Sequence, residues 1–354
     1  MHPRTYGILC GGGDAPGLNA VIRAVVKYGV GQKGWRLLGI EDSFNGLYTR
    51  PPRIQLLTPQ SCRGILQKGG TILGTTNRGD PFTFHNEDRS AELVAALHAQ
   101  GIEGLLMLGG DGSMRISQQL IDRYGVRIVG VPKTIDNDLS ATDQTFGFQS
   151  AVDCATDALD RLHSTAEAHD RVQILEVMGR DAGWIALHSA ISGGADCVVV
   201  PEIPWSADRL VRKIDERRVN GRPFSLIVVA EGAKAAGETA GAVHAGDRKQ
   251  AGSAGQRVMD AVAALLPETE VRLTVLGHLQ RGGGPVAVDR LLATRLGVGA
   301  VDLVEAGRWG EMVCLRNGQI GGVPIPEAIT RYRRVDPDGE LVRTARAVGI
   351  ELGG

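Results

Sequence analysis

Short apolar runs that end in glycine-rich loops recur along this chain, and they restrict its fold more than any other feature. Tyr6–Cys10 enters the glycine-rich loop 11–17, and Leu105–Leu108 enters the loop 109–113. A stretch with helical apolar spacing follows each loop. Alternating strands and helices with short connections are typical of a parallel sheet that carries helices on both faces. The alternation begins again after a long predicted helix, 150–167, so we expect a second α/β domain.

Length, composition and charge exclude several classes of protein. The chain has 354 residues, enough for two domains that each bury a core. It has no apolar stretch of the roughly 18–20 residues that span a membrane and no basic-then-apolar leader, so we predict a cytoplasmic protein. Its net charge of −1 and its lack of a basic block disfavour nucleic acid as a partner. Five scattered cysteines without CxxC spacing predict reduced thiols rather than disulfides or a zinc site.

Three further stretches carry weaker predictions. Residues 50–89 lack a clear period and predict irregular loops over a cleft. Residues 233–255 are rich in alanine and glycine and predict an exposed loop. The tail beyond Ile325 predicts a peripheral helix.

The first glycine-rich loop has the arrangement of an anion site. A strand, a glycine loop and a helix in succession present backbone N–H groups and a helix N-terminus to a phosphate. The spacing is not GxGxxG, and no Gly-Lys pair occurs in the chain, which excludes a P-loop. Alone, the loop is equally well explained as a tight turn.

A polar tip, Thr134–Asp138, follows the apolar run Val126–Val131 and Pro132. If this tip is extended, Asp136 and Asp138 point the same way and lie about 7 Å apart, at roughly 3.3 Å per residue. Two carboxylates at that distance repel by about 2–3 kcal/mol at an effective dielectric near 20, and a cation would relieve the repulsion. One carboxylate could hold a metal while the other accepts a proton. An Asx-rich turn explains the stretch alone equally well.

A third carboxylate, Asp111, lies in the second glycine loop and would reach the same edge of the sheet. Three carboxylates beside two glycine loops predict a phosphoryl-transfer site with Mg²⁺. Candidate cations for the phosphates follow later in the chain: Arg171, Arg180, Arg272, His278 and Arg281.

Arg272 and His278 share one predicted strand but would lie about 20 Å apart at 3.3 Å per residue, so one phosphate cannot bind both within one chain. Either one of them is only a surface charge, or the two serve different sites that a neighbouring subunit completes.

Six motifs in this order closely resemble those of the 6-phosphofructokinase family, and the resemblance runs from about Tyr6 to Ile320. GGDG(S/T) alone is unspecific, because NAD and diacylglycerol kinases share it. TIDND with MGR and GHxQRGG in sequence is highly specific. The chain resembles the A type of the family, and it carries both ATP-type and pyrophosphate-type positions. The motifs are Gly12–Ala20, Gly109–Ser113, Thr134–Asp138, Glu176–Arg180, Val200–Glu202 and Gly277–Gly283.

The resemblance implies an α/β fold of two Rossmann-like, three-layer α/β/α domains with mostly parallel sheets. Residues 1–147 plus about 280–325 would form the phosphoryl-donor and Mg²⁺ domain. Residues 148–279 plus the C-terminal tail would form the sugar-phosphate domain. The family's members are oligomers, so a homotetramer with active sites shared between subunits is expected.

The resemblance also implies the reaction, a phosphoryl transfer from Mg-ATP to the 1-hydroxyl of fructose 6-phosphate in glycolysis. Asp136 would be the general base, with Arg180 and Thr134 as further catalytic residues and Asp111 and Asp138 on the metal. Donor-binding residues by matching position are Gly12, Asn77, Arg78, Gly110, Asp111, Gly112, Ser113 and Lys133. Substrate-binding residues are Thr134, Asp136, Arg171, Met178, Gly179, Arg180, Glu231, Arg272, His278 and Arg281, with Arg171 and Arg272 supplied by the adjacent subunit.

Two positions bear on the donor. ATP-using bacterial members usually carry Gly where this chain has Lys133, while pyrophosphate users carry Lys there. At Gly112 ATP users have Gly and pyrophosphate users have Asp. We favour ATP, because some ATP-dependent relatives show the same mixture. A pyrophosphate-dependent phosphofructokinase is the alternative, and a non-catalytic nucleotide or sugar-phosphate sensor is an alternative of another class.

Other departures from the family pattern leave properties open. Asn77 stands where the family often has an arginine, and Arg78 beside it could supply that charge. Arg23 and Lys27 match part of a basic effector pocket, but the arginine expected near Pro59 is absent, and a pair of charges on a helix face explains them equally well. Allosteric effectors are therefore not assigned. The sequence also does not settle whether the expected oligomer is a tetramer or a dimer, or the direction of the reaction in the cell.

Overall fold

The computed structural model describes residues 3–238 and 253–354. The chain divides into two compact units. Unit 1 comprises Met1–Ser150 and Arg281–Tyr332, and unit 2 comprises Ala151–Gln280 and Arg333–Gly354. Most of the loop predicted for 233–255 falls in 239–252, outside the described residues.

Strands and helices alternate through both units. The strands are β1 (Thr5–Cys10), β2 (Arg36–Ile40), β3 (Ile54–Leu57), β4 (Gly104–Gly109), β5 (Ile128–Pro132), β6 (Val172–Val177), β7 (Cys197–Val199), β8 (Ser225–Ala230), β9 (Val271–Val275), β10 (Glu311–Arg316) and β11 (Gln319–Pro324).

The α-helices connect and flank these strands. They are α1 (Leu18–Val25), α2 (Asn45–Tyr48), α3 (Ser90–Ala99), α4 (Asp111–Tyr124), α5 (Phe148–His169), α6 (Trp184–Ser192), α7 (Ala207–Val219), α8 (Ala254–Leu265), α9 (Ala287–Glu305), α10 (Ile325–Thr330) and α11 (Glu340–Ala347). Across the ranges that the structure covers, no helix combines the length and the apolarity needed to cross a bilayer.

Unit 1 is built on a seven-stranded sheet in the order β11-β10-β5-β4-β1-β2-β3. The central strands are parallel, while β3 and β11 pair antiparallel to their neighbours at the two edges. Successive strand residues enter opposite cores, as a period of two requires. Ile8 packs with α1 and α9 on one face, and Leu9 packs with α3 and α4 on the other. The three-layer α/β/α arrangement predicted from the sequence is confirmed for this unit.

Unit 2 is built on a four-stranded, wholly parallel sheet in the order β7-β8-β6-β9. α7 and α8 cover one face through a core that includes Ile174, Leu210 and Val258. α6 contacts β7 and β8. The tail returns to this sheet, where Glu351 bridges to Cys197 of the edge strand β7. The prediction of a second α/β domain is confirmed.

The structure differs from the sequence predictions at the edges of the unit 1 sheet. The stretch 50–89, predicted as irregular, contains β3, and the antiparallel hairpin of β10 and β11 was not predicted. Its turn carries Asn317 and Gly318 at φ values of 50° and 75°, and Asn-Gly is a strong hairpin signal that the prediction overlooked. The tail beyond Ile325 holds two helices, α10 and α11, rather than one.

Gly69 provides a test of the packing in unit 1. A Cβ atom at Gly69 would lie 2.0 Å from the backbone oxygen of Gly283, and backbone cannot rotate away as a side chain can. We expect Gly69→Ala to lower the free energy of unfolding by about 1–3 kcal/mol, the usual cost of overpacking. Thermal and urea denaturation would measure the change.

Gly321→Ala is the matched control. Gly321 lies in β11, and a Cβ there would meet no atom within 4 Å. Because alanine costs less backbone entropy than glycine in a strand, this variant should be neutral or more stable by up to about 1 kcal/mol. Equal stability of the two variants would show that the close approach at Gly69 relaxes freely.

Candidate active site

The register of β1, β4 and β5 brings the two glycine loops and the Thr134–Asp138 tip together at one edge of the unit 1 sheet. Cys10 pairs with Leu108, and Gly109 pairs with Pro132. The pairing continues past the strands, since Gly11 N donates to Leu108 O at 2.8 Å and Lys133 N donates to Gly109 O at 3.0 Å. Carboxyl ends of parallel strands are where open α/β sheets bind ligands.

The second glycine motif is a helix N-terminus rather than a free loop. Gly110 is extended, at φ −90° and ψ −162°, and α4 begins at Asp111. Asp111, Gly112 and Ser113 therefore form the first helical turn, whose backbone N–H groups have no intrahelical acceptor. Such a terminus attracts anions through those N–H groups and the helix dipole. A Cβ added at Gly112 would meet no atom within 4 Å, so the space beside it is open.

Asp111 is held by an ion pair that the sequence analysis missed. Its carboxylate accepts from Arg115 Nε at 2.8 Å, one helical turn later, and Arg115 also donates to Ile329 O at 3.0 Å. The hydrogen bond and the charge of Asp111 raise the pKa of the Arg115 guanidinium. The i,i+4 spacing of the two residues on a predicted helix was a usable signal for this pair.

The Thr134–Asp138 tip is a compact turn, so the estimate of about 7 Å for an extended chain does not apply. Asn137 has a φ of +54°, and its side-chain oxygen accepts from Thr145 N at 3.0 Å. Asp136 N donates to the hydroxyl oxygen of Thr134 at 3.1 Å. The segment thus turns at Asn137 with the Thr134 hydroxyl as a local acceptor, and it buries both carboxylates, leaving Asp136 3% and Asp138 4% exposed.

The buried carboxylates bear on the Mg²⁺ prediction. Among the described residues, Asp138 Oδ1 has no hydrogen-bond partner, and a buried charged oxygen without a partner is costly unless a cation binds it. Within the same ranges no group of three or more His, Cys, Asp or Glu could by itself hold a metal, so the predicted acidic trio does not form a cage. The residues fit Mg²⁺, which typically takes one or two carboxylates and completes its shell with water and phosphate oxygens.

Two donor candidates lie on the segment after β3. Asn77 and Arg78 are both exposed, and Arg78 N donates to the Thr76 hydroxyl oxygen at 3.1 Å. Gly12 N donates to Thr76 O at 3.0 Å, so this segment is tied directly to the first glycine loop.

In unit 2, hydrogen bonds join the substrate candidates that follow β6 to the one that follows β8. Val177 and Ala230 end neighbouring strands in register. Glu231 Oε1 accepts from Gly179 N at 3.3 Å and from Arg180 N at 2.9 Å. Gly179 and Arg180 have φ values of 143° and 52°, so the carboxylate stabilises a turn whose backbone conformation is unfavourable for a non-glycine residue at Arg180.

Met178 in that turn is held by a residue that the sequence analysis did not single out. Met178 N donates to Gln280 Oε1 at 2.8 Å, and Gln280 Nε2 donates to Ala151 O at 3.1 Å. Gln280 is buried, at 1% exposure. No periodic signal predicts this contact, because the residues lie far apart in sequence.

Arg171 and Arg272 meet at the amino ends of the unit 2 strands, whereas Glu231 and Arg180 lie at the carboxyl ends. Arg171 Nε and Arg272 Nε donate to the two oxygens of Glu270, each at 2.7 Å. These two hydrogen bonds hold the pKa of the Glu270 carboxyl below its usual value. Arg171 precedes β6 and Arg272 is the second residue of β9, whereas Met178 and His278 follow those strands. Parallel strands therefore separate the arginine pair from the other unit 2 candidates.

The estimate of about 20 Å between Arg272 and His278 assumed a continuous strand. β9 ends at Val275 and a 3₁₀ helix, Gly277–Arg281, follows, so that distance does not apply. The separation of the two residues rests on strand direction instead. The next candidate, Arg281, belongs to unit 1, where its Nη1 donates to Asp14 O in the first glycine loop at 3.1 Å.

Comparison with known protein families identifies residues 5–304 as matching the phosphofructokinase family model. The ATP-dependent 6-phosphofructokinase 1 of a Nostoc species is 46% identical, over 99% of this chain and 99% of its own. The ATP-dependent 6-phosphofructokinase of Chloroflexus aurantiacus is 48% identical, over 98% of this chain and 97% of its own.

Solved structures show the same fold. The Pichia pastoris phosphofructokinase in the T-state matches with a TM-score of 0.81 at 29% identity. The match covers 98% of this chain and 36% of the Pichia chain. The pyrophosphate-dependent enzyme of Nitrosospira multiformis matches with a TM-score of 0.80 at 20% identity, over 99% of this chain and 93% of its own, and shows the fold alone. Sequence motifs, fold and relatives of equal length agree, and the chain belongs to the phosphofructokinase family.

Proposed function

We propose that this protein transfers the terminal phosphoryl group of Mg-ATP to the 1-hydroxyl of fructose 6-phosphate. The observation that carries the proposal is the meeting of the first glycine loop, the α4 N-terminus and the Thr134–Asp138 turn at one sheet edge. Full-length relatives named ATP-dependent 6-phosphofructokinase support the donor and the glycolytic role.

Asp136 is the proposed general base. Its carboxylate is buried, and its backbone N–H is held by Thr134, so the side chain starts from a fixed position. It would accept the proton of the attacking 1-hydroxyl, a step that typically contributes 10²–10⁴-fold in rate. Arg180, whose backbone is anchored by Glu231, would stabilise the charge that develops on the transferred group.

Asp138 and Asp111 would hold Mg²⁺. The metal would neutralise charge on the phosphate oxygens of the donor. Asp138 offers a buried oxygen without a hydrogen-bond partner in the described part of the chain, while the ion pair with Arg115 orients the Asp111 carboxylate.

ATP is the proposed donor because of Gly112. A Cβ at Gly112 would meet no atom within 4 Å, which agrees with an unobstructed approach of the donor's α-phosphate, whereas an aspartate there would crowd and repel it. Pyrophosphate is the second candidate, since Lys133 is a residue found in pyrophosphate users.

The sugar phosphate is proposed to bind at a site shared between subunits. His278, Met178, Gly179 and Glu231 would come from one subunit, and Arg171 and Arg272 from its neighbour. The opposite positions of the two groups in the unit 2 sheet support this division. We therefore propose a homo-oligomer, with a tetramer expected. We also propose that the protein is cytoplasmic.

A coupled assay with fructose 6-phosphate tests the donor. ATP, ADP and pyrophosphate are offered in turn with Mg²⁺, and we expect turnover with ATP because the Gly112 site is open. Robust turnover with pyrophosphate and none with ATP would overturn the donor assignment. Binding of both ligands without any turnover would favour a non-catalytic sensor.

Asp136→Ser tests the general base. We expect kcat to fall by about 10²–10⁴-fold, with the Kd for fructose 6-phosphate within about twofold of the parent protein, because the base acts on the proton rather than on binding. Steady-state kinetics and calorimetry provide the two measurements. Asp153→Ser, on the exposed side of α5, is the control. Full activity of Asp136→Ser would leave Asp136 only a turn residue.

Mixing of inactive variants tests the shared site. Asp136→Ser and Arg272→Ser subunits, unfolded and refolded together, should regain roughly a quarter of the intact sites at low fructose 6-phosphate, since random assembly pairs an intact Asp136 with a neighbour's intact Arg272. Asp136→Ser mixed with Asp111→Asn should regain none, because both residues come from the same subunit. Recovery in neither mixture would place the whole site in one chain.

A further inference from the structure

Three consecutive carbonyl groups of the first glycine loop each accept a hydrogen bond from a different side chain. Thr75 Oγ1 donates to Gly12 O at 2.6 Å, and Lys133 Nζ donates to Gly13 O at 2.5 Å. Arg281 Nη1 donates to Asp14 O at 3.1 Å. We call these three donors the loop clasp. They lie after β3, at the end of β5 and after β9, so parts of the chain distant in sequence converge on one loop.

The clasp determines which way the loop presents its backbone. In a trans peptide the carbonyl of one residue and the N–H of the next point in opposite directions. Because the carbonyls of Gly12 and Gly13 face Thr75 and Lys133, the N–H of Gly13 points away from Thr75 and the N–H of Asp14 points away from Lys133. Successive N–H groups on one side form a concave site for an anion.

The burial of Lys133 supports a positioning role for its ammonium group in the loop. Its side chain is only 4% exposed, and a buried ammonium needs polar partners to offset its desolvation. The Nζ atom lies 3.4 Å from the position of a Cβ on Gly12, so it contacts the loop closely. A Cβ on Gly13 would come within 2.9 Å of Arg281 Nη1, so a side chain there would displace the guanidinium from its present position.

We propose that Thr75 and Lys133, assisted by Arg281, are positioning residues for the phosphoryl donor, holding the carbonyls of the first glycine loop so that its N–H groups face the phosphate. Lys133 then acts through the loop rather than as a direct phosphate ligand, and it does not mark the protein as a pyrophosphate user. Arg281 has five N–H donors, so its contact with Asp14 leaves others for the sugar phosphate. The inference rests on the proposed function, in which this loop binds the donor.

The Thr75→Val variant distinguishes a positioning role from an effect of charge. A lysine that bound phosphate directly would also lower donor affinity when removed, so Lys133→Met alone does not distinguish the two roles. Thr75 carries no charge, and Thr75→Val keeps its shape while removing the hydrogen bonds to Gly12 O and Cys10 O. If positioning matters, the neutral variant and the lysine variant should show the same pattern.

The experiment combines two measurements on Thr75→Val, Lys133→Met and the control Lys33→Met, which removes an exposed lysine outside the site. Hydrogen–deuterium exchange of a peptide covering residues 8–17, in the protein without ligands, reports how readily the loop opens. Steady-state kinetics give the KM values for ATP and for fructose 6-phosphate separately.

We expect both clasp variants to exchange the loop amides faster, about fivefold for Thr75→Val and about tenfold or more for Lys133→Met, in line with a neutral and a charged hydrogen bond. The KM for ATP should rise by similar factors while the KM for fructose 6-phosphate stays within about twofold. The control should match the parent protein in both measurements.

Unchanged loop exchange in Lys133→Met together with a raised KM for ATP would overturn the proposal and make Lys133 a direct phosphate ligand. Wild-type kinetics of Thr75→Val would overturn it as well. If the buried lysine variant does not fold, which thermal unfolding detects, Thr75→Val decides alone. Absence of turnover in the parent protein would instead reject the proposed function, and the exchange measurement would still report on the clasp.

Discussion

The in-register pairing of β1, β4 and β5 is the constraint on which the rest of the candidate site depends. It aligns Cys10 with Leu108 and Gly109 with Pro132, so three chain segments leave the sheet at one level. Each segment then turns differently, into a glycine loop, a helix N-terminus and the buried turn Thr134–Asp138. A slip of one residue between these strands would move every side chain of the slipped strand to the opposite face. The packing of the two apolar cores opposes such a slip.

The candidate site contains backbone groups as well as side chains. The first loop is oriented through its carbonyls by Thr75, Lys133 and Arg281, and the α4 terminus presents N–H groups beside it. Such dipoles are fixed before any ligand arrives, so they cost no reorganisation during the reaction. Under the proposed function, the buried carboxylates of Asp136 and Asp138 would add negative groups for a metal and a proton to these N–H groups for the phosphates.

Under the proposed function, the two ends of the unit 2 strands would serve different sites. Glu231 fixes the turn at Arg180 at the carboxyl ends of the strands, while Glu270 holds Arg171 and Arg272 together at the amino ends. The two groups lie at opposite ends of parallel strands, and we propose that one sugar phosphate would not contact both within one subunit. The arrangement is understandable if neighbouring subunits exchange these groups, which links assembly to the chemistry proposed here.

The sequence alone determined the fold class and the two α/β units, because apolar runs and glycine loops have a period and a spacing that local physics reads directly. It also identified the motifs of the family. Only the tertiary structure decided that Asn137 bends the acidic turn, that Glu270 joins two arginines, and that Lys133 contacts Gly13 O. These contacts join residues distant in the chain or depend on a single backbone angle. Neither leaves a periodic trace in the sequence, since both arise from packing between whole elements.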